Sequence, residues 1–171
     1  MSPAEIILAL VTAQRGAELI LARHNTRMLM AQGAIEIAPG HYPLMVAVHA
    51  AWLAALWIFG HEQPVSGSAL LVYLALQALR AWVMATLGAR WTTRIIVPPN
   101  APLIASGPYR YLRHPNYAVV TGEIAVLPLM LHLPELAVLF TALNALVLFI
   151  RIRAEDRALQ LSPKSATHKT P

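Results

Sequence analysis

The stretch from Gly107 to Tyr117 (GPYRYLRHPNY) sets Tyr109, Tyr111 and Tyr117, the cations Arg110 and Arg113, the imidazole of His114 and the prolines Pro108 and Pro115 between apolar runs. Polar groups cost free energy in hydrocarbon unless each finds a partner. A dense polar patch at the mouth of a hydrophobic helix therefore reads as a binding site. A second signal lies further along, where Asn144, Leu148, Arg151 and Glu155 recur at spacings of four, three and four. At about 100° per residue, Asn144, Arg151 and Glu155 fall within about 20° of one stripe. Arg153 points the other way and suits headgroup anchoring. An i, i+4 surface pair, worth a few tenths of a kcal/mol, would account for Arg151 and Glu155. It leaves Asn144, which needs a partner inside a bundle.

Glu123 falls about two turns into an apolar run, where a carboxylate costs ~2.5–3.5 kcal/mol on insertion scales. It must face the interior, paired with a cation such as Arg80 or protonated, and structural and functional roles both remain open for it. Other chemistries are excluded. The chain has no cysteine, which removes disulfides, thiolate catalysis and cysteine-zinc sites. His41 and His49 are eight apart with no i, i+3 or i, i+4 partner, so no metal site is expected. No two of the glycines are separated by a single residue, so a GxGxxG dinucleotide turn is absent, as are GxSxG, a P-loop and HExxH.

The elements that position these residues follow from composition. The chain is 57% hydrophobic and 12% charged, with a mean hydropathy of +0.55. Soluble domains carry about 25% charged residues, so the sequence predicts an all-α integral membrane protein with a single domain over residues 1–161. The polar segment 162–171 is expected to be a disordered tail. No cleavable signal peptide is expected, since residues 2–5 lack a basic region and Gln14, Arg15 and Glu18 interrupt the first apolar run. Apolar runs predict five transmembrane helices near 4–22, 42–59, 67–87, 117–131 and 135–151. Arg15 and Glu18, three apart, can pair on one face of the first. The segment 131–134 leaves room only for an antiparallel hairpin. The connection 88–116 carries Arg90, Trp91, Arg94, Arg110, Arg113 and His114 together with five prolines, which forbid a long helix and stiffen the path. It reads either as a lid over a binding site or as a basic connector that fixes topology.

All thirteen Lys and Arg but Arg15 and Arg80 lie on one side, in segments 23–41, 88–116 and 151–171, and the opposite loops 61–66 and 132–134 hold none. Basic residues are retained in the cytoplasm. The N-terminus is therefore expected outside and the C-terminus cytoplasmic, with the polar residues collected at a cytoplasmic cofactor pocket. The net charge of +5 is read as membrane topology and not as nucleic-acid binding, because the cations lie between apolar runs. Trp52, Trp57, Trp82 and Trp91 read as core or interfacial belt residues.

Gly107-Pro108-Tyr109, then Arg113-His114-Pro115-x-Tyr117, then Arg151-x-x-x-Glu155-Asp156 resemble the isoprenylcysteine carboxyl methyltransferase family over about residues 87–161. The N-terminal half, with Arg15-Gly-Ala-Glu18, Arg23-His-Asn25 and Gly40-His41-Tyr42-Pro43, is similar to a bacterial branch of that family associated with polyketide pyrone or resorcinol lipids. The resemblance implies a membrane enzyme that uses S-adenosylmethionine. It implies cofactor contacts from Ala101, Pro102, Leu103 and Ile104, from Tyr109, from His114, Pro115, Asn116 and Tyr117, and from Glu155. It places Arg151 at the methyl acceptor, as catalytic and substrate-binding residue, and the helical stripe adds Asn144 as a second substrate-binding residue. Ala101 stands where many eukaryotic members have His, and Asp156 replaces the second Glu of a common pair. The implied reaction is methyl transfer to an oxygen of a lipophilic acceptor, a carboxylate or an acidic enol or phenol hydroxyl, as in a prenylcysteine or an alkylpyrone-like lipid. The expected location is the bacterial inner membrane, with the acceptor entering from the bilayer. The competing readings are an NADPH-dependent membrane reductase of sterol-reductase type, using Arg90, Arg94, Arg110 and Arg113 on the extra phosphate, and a non-catalytic membrane scaffold or transporter.

Overall fold

A computed structural model of the protein describes residues 1–99, 102 and 104–160, with side chains as far as Arg153. Ala101, Leu103 and the 162–171 tail lie outside the described residues, and so do the side chains of Glu155 and Asp156. The chain is mostly helical. Its long helices are α1 (Pro3–Ala31), α2 (Tyr42–Gly60), α3 (Gly67–Leu87), α4 (Pro115–Met130) and α5 (Pro134–Gln160). Two short strands, β1 (Ile35–Glu36) and β2 (Ile96–Val97), pair antiparallel, Ile35 against Val97 and Glu36 against Ile96.

α1 starts on a reciprocal cap. The Ser2 hydroxyl accepts the Glu5 N–H at 3.0 Å and the Glu5 carboxylate accepts the Ser2 N–H at 2.7 Å, with Pro3 in the first turn. Ser2 Oγ also donates to the His61 carbonyl at 2.6 Å, which ties the start of α1 to the end of α2. At the other end of the bundle the Asn25 amide donates to the Trp91 carbonyl at 2.8 Å. α1 therefore runs past Ala22, where the apolar pattern predicts it to stop. Arg23 to Arg27 include no helix breaker, and the helix ends only at Gly33, whose φ of 86° an L side chain resists. Polarity ended the apolar run but not the hydrogen-bond ladder.

α4 is the central helix and packs against α3 and α5. Gly122 lets it approach α3, since a Cβ there would meet Leu76 Cδ2 at 2.9 Å. The α4–α5 connection is a tight turn with His132 left-handed (φ 56°) and the Leu133 N–H bonded to the Pro128 carbonyl at 2.9 Å. The apolar core gathers Leu8 and Val11 of α1, Trp52 and Leu56 of α2, Ile124 and Leu127 of α4 and Val147 of α5. Outward positions are apolar as well: Ile20, Ile58, Leu71 and Val138 are all exposed. Residues 39–60, 67–90 and 134–153 form three helices long and apolar enough to cross a membrane. α4, at sixteen residues, spans only about 24 Å along its axis.

The segment 88–116 contains β2 and short 3-10 turns at Gly88–Arg90 and Gly107–Arg110, and no long helix among its described residues. Gly107 fixes its return onto α3. Its φ is 55°, and a Cβ there would clash with Thr86 Oγ1 and lie 3.2 Å from Trp82 Nε1.

Candidate functional site

A cavity of about 320 Å3 runs from the basic end of the bundle inward, at the lower end of the range for small-molecule sites. Its outer wall is built by Trp91, Thr92 and Thr93 of the 88–116 segment, with Tyr42 at the start of α2 and Asn116 and Tyr117 at the start of α4. Apolar side chains of α2, α4 and α5, among them Met45, Leu53, Val120 and Leu148, form the body.

Arg151, buried at the basic end of α5, organises the mouth. Its Nε donates to the Tyr117 hydroxyl at 2.9 Å and its Nη1 to the Thr93 carbonyl at 2.7 Å, with the Met45 sulfur 3.1 Å away. Its Nη2 engages no acceptor among the described residues. The Tyr117 ring stacks on His114, centroids 5.1 Å apart, so His114, at the residue before α4, orients the tyrosine that orients Arg151. Two helical turns below Arg151, Asn144 donates to Thr121 Oγ1 at 3.3 Å. The carbonyl oxygens of both Asn144 and Asn116 are buried without a partner among the described residues. Orphaned acceptors of this kind call for a donor from a bound molecule or water.

The floor is ionic. Arg80 of α3 donates through Nε and Nη2 to the Glu18 carboxylate of α1, both at 2.5 Å, and through Nη1 to Glu123 of α4 at 2.7 Å. Arg15 bonds Glu18 at 2.9 Å and lies 3.0 Å from Glu123. Gln77 donates to Glu123 at 2.7 Å, and Gln14 donates to both Glu18 and Gln77. Two cations and two anions cancel, and each charge has a hydrogen-bonded partner, which is the condition for tolerating charge at such depth. Glu123 thus pairs with Arg80, and the Arg15–Glu18 pair joins them. Counted along α3, this floor lies about 10 Å inside the basic end.

Beside the mouth, the segment leading into β2 is tied to β1 and to α2. Arg94 holds Glu36 at 2.8 Å and lies over the Tyr42 ring at 4.2 Å, while the Tyr42 hydroxyl is 3.3 Å from Thr93 Oγ1. Of the residues expected from sequence, Asn116, Tyr117, Asn144 and Arg151 share this cavity. His114 and the buried Pro115 stand just behind them. Pro102, whose carbonyl accepts from Arg90 Nη1 at 2.7 Å, Ile104 and Tyr109 belong to the segment outside the wall. Sequence reasoning missed Thr93, Met45 and His49 as cavity residues; the only signal for Met45 and His49 was helical register with Tyr42 on α2, which is invisible before α2 is docked, and Thr93, in the irregular 88–116 segment, carried none.

The arrangement is that of a polar-mouthed, apolar-bodied cavity at one end of a membrane helix bundle. The profile of the isoprenylcysteine carboxyl methyltransferase (ICMT) family matches residues 69–161, and the chain belongs to that family. Membership points to a methyltransferase, and with the three apolar helices it marks an integral membrane protein. The chain is 40% identical to the uncharacterized protein YpbQ of Bacillus subtilis (strain 168), over 91% of its own length and 95% of that protein's. It is 28% identical to an uncharacterized protein of Haemophilus influenzae over 94% and 97% of the two chains. No solved structure matches it.

Proposed function

We propose that the protein transfers a methyl group from S-adenosylmethionine to an oxygen of a lipophilic acceptor, at the cytoplasmic end of a five-span bundle. The observation that carries the reading is the convergence of Asn116, Tyr117 and Arg151, from motif segments far apart in the chain, on one cavity whose body is apolar. The residues fit the cofactor. The orphaned Asn116 side-chain oxygen would accept from its ammonium or ribose hydroxyls, His114 or a loop arginine would suit its carboxylate, and Tyr109, outside the cavity wall, would offer an aromatic face to whatever part extends there. Glu155 and Ala101 to Ile104 would complete the cofactor side. When bound, the cofactor supplies an electrophilic methyl carbon on a sulfonium.

The protein's share is orientation, the largest contribution available to an in-line displacement. Arg151 is held by Tyr117 and Thr93 with Nη2 left to bind the acceptor oxygen, which favours its ionised form. The acceptor's tail lies along Met45, Leu53, Val120 and Ile124. Asn116 and Tyr117, with Trp91 to Thr93 of the 88–116 segment at the same mouth, are the residues that would hold the cofactor.

Calorimetric titration of the purified protein with S-adenosylhomocysteine tests the reading. Binding is expected, with no competition by NADPH. Glu155→Ala and His114→Ala should each weaken it at least tenfold without lowering expression. Wild-type affinity in both variants, or no binding by the wild type, overturns the assignment.

A further inference from the structure

The polar motif from Gly107 to Tyr117 divides in two. Its end turns inward, since Tyr117 lines the cavity and bonds Arg151. Its middle turns outward, and Arg110, Tyr111, Leu112 and Arg113 are all exposed. Tyr111 is 74% exposed and Leu112 47%. Apolar side chains that point outward from a spanning helix are covered by hydrocarbon. These two lie in the connection between α3 and α4, outside both helices. Trp82, on the outer face of α3 and also exposed, stands at the same level, because a Cβ on Gly107 would lie 3.2 Å from its Nε1. Contiguous exposed apolar side chains mark a surface that is covered by something. Tyr and Trp are enriched where lipid meets water. Arginines beside such rings lay their stems on apolar surface, and their guanidinium forks match phosphate oxygens.

The turn is also tied to the site. The Tyr111 and Leu112 N–H groups both bond the Pro108 carbonyl, at 3.2 and 3.1 Å. Upstream, Gly107 is seated against Thr86 of α3. Downstream, His114 stacks on Tyr117, whose hydroxyl accepts from Arg151. Whatever holds Tyr111 and Leu112 therefore holds the ring that orients Arg151. From this arrangement we infer that residues 110–113 are a docking surface for anionic phospholipid, with Tyr111 and Leu112 in the interface and Arg110 and Arg113 on headgroup phosphates, and that lipid bound there keeps the 88–116 segment in its cofactor-binding position. The second half rests on the methyltransferase reading, and the first does not. A lipid shifts the cofactor site only by its differential affinity for the seated segment. Each arginine at an anionic surface is worth about fivefold in association, so the two set a ceiling of about 25-fold.

The test uses full-length protein in nanodiscs of phosphatidylcholine, with or without phosphatidylglycerol. Because the chain has no cysteine, nitroxide labels can be placed at Tyr111→Cys and Leu112→Cys alone. Collision with oxygen, which concentrates in hydrocarbon, is compared with collision with a neutral, water-soluble nickel chelate. In discs with phosphatidylglycerol both labels should favour oxygen. In phosphatidylcholine alone, or with Arg110→Gln added to the labelled protein, they should move toward the chelate. Unlabelled wild type should bind S-adenosylhomocysteine about three- to tenfold more tightly when phosphatidylglycerol is present, within the ceiling above. Tyr111→Ser combined with Leu112→Ser should remove most of that difference, and added salt should shrink it in the wild type. Labels reached by the chelate in both lipids, equal depth in both, or equal cofactor affinity in both overturns the inference. Absence of S-adenosylhomocysteine binding in either lipid overturns the methyltransferase reading, and label depth then decides the docking by itself.

Discussion

Arg80 holds the floor of the cavity together by donating to carboxylates from two other helices. Removing one member of such a group leaves an uncompensated buried charge, a loss of about 3–5 kcal/mol. Arg80→Ala is therefore expected to lower the thermal midpoint in detergent sharply, whereas Arg80→Met combined with Glu123→Gln, which leaves the Arg15–Glu18 pair balanced, should recover much of it. A double variant no more stable than the single one would show that the network has a value beyond charge balance. Arg151 poses the opposite case, since its partners Tyr117 and Thr93 are neutral and its role is orientation. Lysine keeps the charge and loses the fork. Arg151→Lys should cut kcat about 100-fold, with S-adenosylhomocysteine affinity within about twofold of wild type, as expected when a transition-state contact is lost. At this scale the sequence was legible in pairs. Arg15 with Glu18 follows from spacing, and Arg80 with Glu123 from shared depth. Their union into one network through Gln14 and Gln77 depends on how three helices face each other, and no local pattern encodes that.

At the scale of elements, the 88–116 segment is placed by contacts that its composition does not announce. Prolines mark it as irregular, but its position over the cavity comes from Gly107 against Thr86, from Asn25 reaching Trp91 and from Arg94 gripping Glu36. Gly107→Ala meets both a positive φ and a clash. Strain of this kind costs of order 1–3 kcal/mol, and it would be released locally by lifting the segment off α3. The expected result is weaker S-adenosylhomocysteine binding with a small change in the thermal midpoint. A variant with wild-type affinity would detach this turn from the cofactor side of the site. The helices were readable for a different reason. α2 and α3 match their apolar runs almost to the residue because hydrocarbon imposes both length and composition on a span. α1 was read nine residues short, Ala22 against Ala31, because the rule that ends a span does not end a helix.

At the scale of the molecule, the direction of every helix is fixed by contacts at the two ends of the bundle. Ser2 meets His61, and Ser66 donates its N–H to the Met130 carbonyl at 2.9 Å, so the start of α1, the α2–α3 connection and the α4–α5 turn share one end. Asn25, Tyr42, Trp91, Tyr117 and Arg151 gather at the other. The five helices therefore alternate in direction, and the end that carries the cavity mouth also carries the arginines. A bilayer with this distribution should hold the basic end in the cytoplasm. α1, at twenty-nine residues, is about 43 Å long, longer than the roughly 30 Å hydrocarbon core, and its Arg15 and Glu18 are satisfied inside the bundle, so it can cross despite its charges. The absence of native cysteine allows a clean test with single substitutions at exposed positions and a membrane-impermeant maleimide on intact bacterial cells with a permeable outer layer. Pro3→Cys and Glu62→Cys should react from outside. His24→Cys and Arg110→Cys should react only after the inner membrane is opened. Labelling of His24→Cys from outside, with Arg110→Cys still protected, would mean that α1 does not cross in this sense. Labelling of Arg110→Cys in intact cells would place the cavity mouth away from the cytoplasmic pool of cofactor, and the proposed chemistry would lose its supply.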